Sequence, residues 1–517
     1  MFDATPTTED EVKTLLHNLD KNKSPGIYNI PIKLIKVAAQ HIAKPLELII
    51  NDSFANGCFP QKLKIQKIIP LHKGGSKLNI QNYRPISLLP IFSKIIEQTM
   101  LSKLKNYLNS NNILFEHQYG FQKNKSTVLA VLDLLSKITD ALDNSSYSTV
   151  VFLDFAKAFD TVNLEILLDK LSHYGIRGTA LDWFKSYLMG RKQVVSINGT
   201  NSDELLVNHG VPQGSVLGPI LFLLYINDIP KSSNKLNFFL FADDTSLHYA
   251  SKSLSELEKT LNEELSKIQE WLLSNKLSLN VSKSNFVLFH SPHKITVNKI
   301  VLKIDSEIII EKDHTKYLGI LIDKHLSWKH HIASIKLKLS KTLGLLHRAK
   351  HYASPQVLKQ IYYSFFYPYL TYALLVWGNA SATLLAPIKI LQKKAIRILC
   401  NQPWNTHSSP LFAQLKILTL DDLFKLFASL FMFDIYNKSL NSAMLNLFTP
   451  ISQIHHYYTR KSLSQFFYKK KFKTNFKCKF ITSKGIDIWS KIPSYIKSEN
   501  RQKFKKMLSN YYLTKYK

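Results

Sequence analysis

Three things are scarce in this 517-residue chain, and each scarcity removes a class of protein. Acidic residues number 37 against 68 lysines and arginines, a formal net charge of +31. That surplus does not dictate a fold, but it calls for a polyanionic partner, nucleic acid or an acidic membrane surface. Cysteine occurs only at Cys58, Cys400 and Cys478. This spacing offers no CxxC pair and no zinc knuckle, and one thiol must stay unpaired within the chain, which fits a reducing intracellular compartment. Long uncharged runs are few, and the one that imitates a membrane span lies between Lys359 and Lys389. Ser364, Pro368 and Thr371 interrupt that run, and its tyrosines are spread throughout rather than confined to the ends, so buried helices are favoured over a membrane span. The opening MFDATPTTEDEV has neither the basic start nor the apolar core of a signal peptide. No internal repeat and no long Gly/Ser/Pro linker is visible.

What is present is a chain 45% apolar, enough to bury a sizeable core. TTEDEVKTLLHNLD reads as a helix capped by Thr8, with Val12, Leu15, Leu16 and Leu19 on one face. From about Ser148 short β-rich runs alternate with helices. STVVFLDF is an apolar strand ending in Asp154, and LEILLDKLSHYG is a helix closed by Gly175. RKQVVSING and DELLVNHG form a hairpin turning near Asn198 and Gly199, SVLGPILFLLYIND is a helix, and KLNFFLFADDTSLHYA is strand, turn, strand. Leu254, Leu257, Leu261, Leu265, Ile268 and Leu272 repeat at helical spacing. NFVLF and KYLGILID read as two further strands, and beyond about residue 325 the strand signal fades. The pattern predicts an α+β sheet with helices on one side. Near the end, Lys469, Lys470, Lys471, Lys473, Lys477 and Lys479 alternate with Phe472, Phe476 and Phe480. This suits a phosphate backbone with bases to stack on, and equally a solvated basic face with a few core rings.

Three acids stand out by position. Asp154 ends an apolar strand in FLDFAKAFD, and Asp243 and Asp244 sit at the bend of FFLFADDTSL. Carboxylates at the edge of a buried sheet are costly unless something binds them, and divalent cations would. Two Mg²⁺ ions, with Mn²⁺ as a substitute, would activate a hydroxyl and stabilise a leaving pyrophosphate. The oxygen donors suit Mg²⁺, and no His/Cys cluster points to zinc. Alone, an Asp-Asp pair is as readily a turn device, and Asp160 reads as a helix N-cap rather than a ligand.

In order along the chain, FLDFAKAFDTV, GVPQGSVLGPILFLLYINDIP and FADDTSLHY resemble the A, B and C motifs of non-LTR retrotransposon reverse transcriptases. NYRPISLLPIFSKIIE, the GF and ST of YGFQKNKST, LSLNVSKSNFVLF and KYLGILID resemble the remaining blocks, and IRILC and LKILTLDDL resemble the segments after the polymerase in jockey-like and CR1-like elements. The resemblance implies Asp154 and Asp243 as principal metal ligands, with Phe155 beside them at the metal and nucleotide sites, and Asp244 completing the carboxylate set. It makes Phe159 the steric gate against a ribose 2′-OH and gives Gln213 and Gly214 contacts to nucleotide and template. Lys73 and Arg84 would hold the triphosphate, Lys283 would protonate pyrophosphate, and Leu318 and Gly319 would grip the primer. Two departures matter: SPGIYNIP stands where the family often reads SPGPDGIP, and Gln122 stands where it has an arginine in GFR.

The implied fold is a right-hand polymerase: an N-terminal helical extension of the fingers over residues 1–53, and fingers with a ferredoxin-like palm over 54–323. A helical thumb occupies 324–400 and a basic helical C-terminal region 401–517. The implied reaction adds dNTPs to a primer 3′-OH on an RNA template, with a DNA primer or target, in a cytoplasmic ribonucleoprotein and the nucleus, and with no membrane. The oligomeric state is open. The stretch ahead of SPGIYNIP is too short for the family's apurinic-type endonuclease, and no RNase H pattern closes the chain, so the expectation is the polymerase half of an element, a truncated copy or a partial gene. The rivals are a decayed element that only binds RNA, and a telomerase or intron-maturase polymerase.

Overall fold

In a computed structural model that describes residues 1–292, 299–454 and 466–516, the architecture is mixed α+β. The chain divides into two units that interleave along the sequence. The first comprises Met1–Phe121, Asp154–Asn234 and Glu264–Asn280, and the second Gln122–Leu153, Lys235–Glu263 and Val281–Lys517.

In the first unit the opening helix is Glu9–His17, held at its start by a reciprocal capping box between Thr8 and Glu11. This satisfies two backbone donors that a helix start otherwise leaves orphaned. Its Val12 and Leu16 are fully buried, and it packs on the helices Ala39–Ala55 and Ile91–Ser110. The sheet is built on β1 (Ile65–His72), which pairs antiparallel with β2 (Tyr83–Leu88) and parallel with β4 (Arg191–Ile197). The strand β4 then turns back through Asn198 and Gly199 to β5 (Thr200–Asn201) and β6 (Leu205–Val207), the hairpin expected there. The helix Gly218–Ile226 is apolar all round and buried along nearly its whole length, as a helix with no polar face must be.

The second unit holds a six-stranded sheet in the order β10–β11–β9–β3–β8–β7. Its strands are β3 (Tyr147–Leu153), β7 (Asn237–Phe241), β8 (Asp244–Ser251), β9 (Asn285–Phe289), β10 (Leu302–Ile304) and β11 (Glu307–Glu311). The strand β3 lies antiparallel between β8 and β9, and all seven of its residues are buried, which is why it reads as one apolar run instead of an alternation. The helix Thr127–Asp143 packs against β3, β7 and β8. KYLGILID is not one strand but a hairpin, β12 (His314–Tyr317) and β13 (Ile320–Asp323), reversing at Leu318 and Gly319.

After Asp323 the named elements of the described residues are helical, among them Lys329–Ala349, Ala382–Leu399, Leu420–Tyr436, Ile481–Ser490 and Arg501–Leu513. The uncharged run breaks into Pro355–Ile361, a π-helical turn over Tyr362–Phe366, Tyr367–Thr371 and Leu374–Trp377. Tyr362, Phe366, Leu370, Leu374 and Trp377 are buried, and no described helix is long and apolar enough to cross a membrane. The Lys/Phe stretch turns partly inward. Lys477, 5% exposed at its side chain, pairs with Asp140 at 2.7 Å between the rings of Phe472 and Phe480, while Asp143 accepts from the Lys473 and Thr474 amides. Phe472, Phe476 and Phe480 are half-buried, in a strap fastened to the helix Thr127–Asp143. Lys470, Lys471, Lys473 and Lys479 remain exposed.

Candidate functional site

The strands β7 and β8 form a tight hairpin in which Phe241 pairs with Asp244, leaving Ala242 and Asp243 as the two turn residues. Ala242 is buried with φ +55°, whereas Asp243 and Asp244 are exposed. On the neighbouring strand, Leu153 ends β3 opposite Thr245, and Asp154 is the next residue of the chain. Within the first unit, the backbone from Asp154 onward is pinned to LSLN: Asn280 N–H donates to Asp154 O at 2.7 Å and Ala156 N–H to Ser278 O at 2.9 Å. Phe155 is buried between these bonds in a bridge to Leu279. Among the described residues no group of three His, Cys, Asp or Glu side chains stands together as a ready metal cluster. By donor type the acids offer carboxylate oxygen alone, the kind hard cations take.

Apart from Lys283, the residues expected around the nucleotide belong to the first unit. Lys73 and Arg84 are exposed on the β1–β2 hairpin, where Arg84 pairs with Leu71 and the Lys73 amide donates to Asn82 O at 2.8 Å. On β2, Ser87 N–H donates to Gln213 O at 2.8 Å. Gly214, at φ +127°, lies so close that a Cβ would overlap the Ser87 carbonyl oxygen, so only glycine fits. The Gln213 amide donates to Asp160 Oδ1 at 3.0 Å. Phe159 is half-buried, stacked on Phe222 with centroids 4.5 Å apart and edge-on to Phe121 at 6.5 Å. Its carbonyl accepts from Val211 N–H at 2.9 Å.

Asp160 is not the helix cap it was expected to be. Asn163 caps the helix Leu164–His173 through Ile166 N–H, and Asp160 instead orients Gln213. Burial raises the Asp160 pKa, against the hydrogen bond from Gln213 and the charges of Lys157 and Lys73. A second carboxyl escaped the sequence reading altogether. Glu97, fully buried on the helix Ile91–Ser110, accepts from Val216 N–H at 2.7 Å, Leu217 N–H at 3.2 Å and Ser93 Oγ at 2.8 Å. It thereby anchors the loop that carries Gln213 and Gly214. The available signal was an acid set among Ile95, Ile96, Met100 and Leu101.

Lys283, Leu318 and Gly319 belong to the second unit. Lys283 is exposed shortly before β9. Leu318 and Gly319, with φ +44° and +83°, make the β12–β13 turn. The preceding residue, Tyr317, is buried against Phe152 of β3, with ring centroids 5.3 Å apart. Burial pushes its hydroxyl pKa up, and the charges of Asp244 and Asp133 add to the shift.

Residues 71–322 match the family model of the reverse transcriptases (RNA-dependent DNA polymerases). Over that stretch, just under half of its length, the chain is similar to the reverse transcriptases. The relatives it resembles point the same way. It is 29% identical over 436 residues to a probable RNA-directed DNA polymerase from transposon BS of Drosophila melanogaster, covering 81% of this chain and 47% of that protein. It is 30% identical over 427 residues to the RNA-directed DNA polymerase from mobile element jockey of the same fly, covering 80% and 46%. The Pol polyprotein from the type-1 retrotransposable element R1 of Bradysia coprophila is 26% identical over 345 residues. The chain spans about half the length of the first two of these relatives. The reverse transcriptase match begins at Leu71 in β1 and ends at Ile322 in β13, so it takes in every candidate site residue from Lys73 to Gly319.

Proposed function

We propose that the chain is the RNA-directed DNA polymerase of a non-LTR retrotransposon, extending a primer 3′-OH with dNTPs on an RNA template. The observation that carries this reading is the register at one end of the second unit's sheet. Asp243 and Asp244 occupy the β7–β8 turn and first pair, and Asp154 comes directly after the residue of β3 that faces Thr245. The order is β9–β3–β8–β7, with helices and the β4–β6 strands of the first unit's sheet between β3 and β7 and a helix between β8 and β9. It resembles a ferredoxin-like βαββαβ sheet with an insertion and supports its role as the palm. In the same reading the β1–β2 hairpin belongs to the fingers and the helices after Asp323 to a thumb and a basic C-terminal region.

Asp154, Asp243 and Asp244, with the Phe155 backbone beside them, would hold Mg²⁺, which when bound lowers the cost of deprotonating the primer hydroxyl and neutralises charge on pyrophosphate. The protein's own groups do the rest. Lys73 and Arg84, exposed on the hairpin, bind the triphosphate, Arg84 through a planar fork that a lysine cannot offer. Gln213, oriented by Asp160, and Gly214, seated on Ser87, bring the loop's backbone against the incoming nucleotide. Phe159, fixed by Phe222, presents its ring to the sugar and disfavours a 2′-OH. Lys283 would return a proton to pyrophosphate, and Leu318–Gly319 would bear on the primer.

The test is primer extension on poly(rA)/oligo(dT) with Mg²⁺, comparing the chain with an Asp243→Ala, Asp244→Ala double variant. Extension by the parent alone is the expected result. Failure of both, with salt-sensitive RNA binding retained, would move the reading to a decayed element that only binds RNA, and extension by both would refute the site.

A further inference from the structure

The uncharged run of residues 360–388 has no part in the proposed chemistry, yet one of its side chains reaches the Leu318–Gly319 turn. The helix Tyr367–Thr371 stops at Tyr372, which is extended at φ −60°, ψ 120°, and the chain re-enters helix only after Ala373 at φ +50°. This break turns Tyr372 away from the buried line of Leu370, Leu374 and Trp377 and leaves it 41% exposed. Its carbonyl accepts from Trp377 Nε1 at 2.9 Å, which fixes the backbone at the break.

The side chain then makes three contacts, all within the second unit. Its hydroxyl donates to Leu318 O at 2.6 Å. The same oxygen lies 3.3 Å from Thr127 Oγ1, in the first turn of the helix that packs under β3, β7 and β8. Its ring edge closes over Gly319 so tightly that a Cβ there would stand 3.2 Å from the ring. Leu318 holds a left-handed backbone that a leucine adopts only at an energetic cost, so the turn needs an outside restraint to persist in one form. Tyr372 supplies it, and through Thr127 refers the turn to the helix beneath the acid-bearing strands.

We propose that Tyr372 is a positioning residue for primer extension: its hydroxyl and ring set the Leu318–Gly319 turn at the height at which it bears on the primer strand. The proposal rests on the reading of that turn as the primer grip. A merely structural tyrosine would act through packing, and Tyr372→Phe preserves the ring while removing the hydroxyl with its bonds to Leu318 O and Thr127 Oγ1.

The experiment measures KM for poly(rA)/oligo(dT), KM for dTTP and the melting temperature on the full chain, for the parent, Tyr372→Phe and Gly319→Ala. One lost hydrogen bond to a strained turn corresponds to roughly 3- to 10-fold. The expected result is a rise of that size in the primer–template KM of Tyr372→Phe, with dTTP KM and melting temperature unchanged, and a larger rise for Gly319→Ala. A rise for Gly319→Ala alone overturns the role of Tyr372 and leaves the grip standing. No rise for either variant overturns the grip, and the proposal with it. Equal changes in both KM values together with a lower melting temperature would make Tyr372 a packing residue and overturn the proposal.

Discussion

Replacing Glu97 by alanine tests whether the loop of Gln213 and Gly214 is held from behind. The carboxyl is fully buried and accepts three hydrogen bonds, two from the backbone of Val216 and Leu217 and one from Ser93. Removing it leaves those donors inside the protein without a partner, each at about 1–3 kcal/mol, and leaves a void besides. Val216 is only half-buried and recovers part of its loss from water, so the sum is about 3–5 kcal/mol. Glutamine keeps an acceptor for the two amides but turns an N–H₂ toward its neighbours, which costs about 1–2 kcal/mol. The order parent, Glu97→Gln, Glu97→Ala is therefore expected in denaturant unfolding. If the loop contacts the nucleotide as proposed, the dNTP KM should rise in the same order while the primer–template KM holds. A Glu97→Ala loss under about 1 kcal/mol with an unchanged dNTP KM would refute the reasoning, since it would mean that the loop finds other acceptors.

Gly214→Ala should destabilise by about 2–4 kcal/mol and abolish extension, because the new methyl meets the Ser87 carbonyl at a φ that side chains avoid; a stable, active variant would show that the loop can retreat from β2. His248 should make the second unit acid-labile. Burial, with the charge of Lys137 adding to it, holds its pKa down to about 3, and its ring nitrogens face Ser148 Oγ at 2.9 Å and Asn237 Nδ2 at 3.3 Å. Below pH 6.5 the unfolded chain takes a proton that the folded chain refuses, so stability is full above that pH and falls as the pH drops toward 3. At about pH 5 the loss from His248 is about 2 kcal/mol, and His331, whose pKa burial holds down to about 4 in the same unit, adds a similar loss. His248→Gln should therefore remove about half of the difference between denaturant midpoints at about pH 7 and about pH 5.

Where a local signal and the tertiary structure agree, the sequence was legible. The capping box at Thr8 and Glu11, the Asn198–Gly199 hairpin, the buried stripe of Leu257, Leu261, Leu265, Ile268 and Leu272, and the turn at Asp243 all appear where their residue types ask for them. It failed where a partner distant in sequence overrode a local preference. Asp160 has the composition of a cap, but its partner, Gln213, lies 53 residues away. Lys477 looks like one more exposed base in a basic run, and nothing nearby announces Asp140. KYLGILID hides its turn because a leucine, not an asparagine or aspartate, occupies the first left-handed position, and the turn stands with the help of Tyr372.

The two-residue hairpin turns also bear on what the acids are for. A tight hairpin is most stable with Asn-Gly, and β4 reverses through that pair, at φ +51° and +89°. The hairpin of β7 and β8 instead forces an alanine to φ +55° and sets two successive carboxylates after it, Asp243 and Asp244, exposed side by side. Like charges this close repel, and an alanine at that φ does not serve the turn. The chain thus makes the favourable turn in one sheet and a worse one in the other, in a protein where acids are outnumbered almost two to one by bases. A local sequence that works against its own fold, while the sheet around it is buried and well paired, is what a site kept for chemistry looks like. Asn-Gly placed at Ala242 and Asp243 should therefore leave the hairpin at least as stable while ending primer extension, and a variant that extended normally would remove the physical ground for calling these acids catalytic.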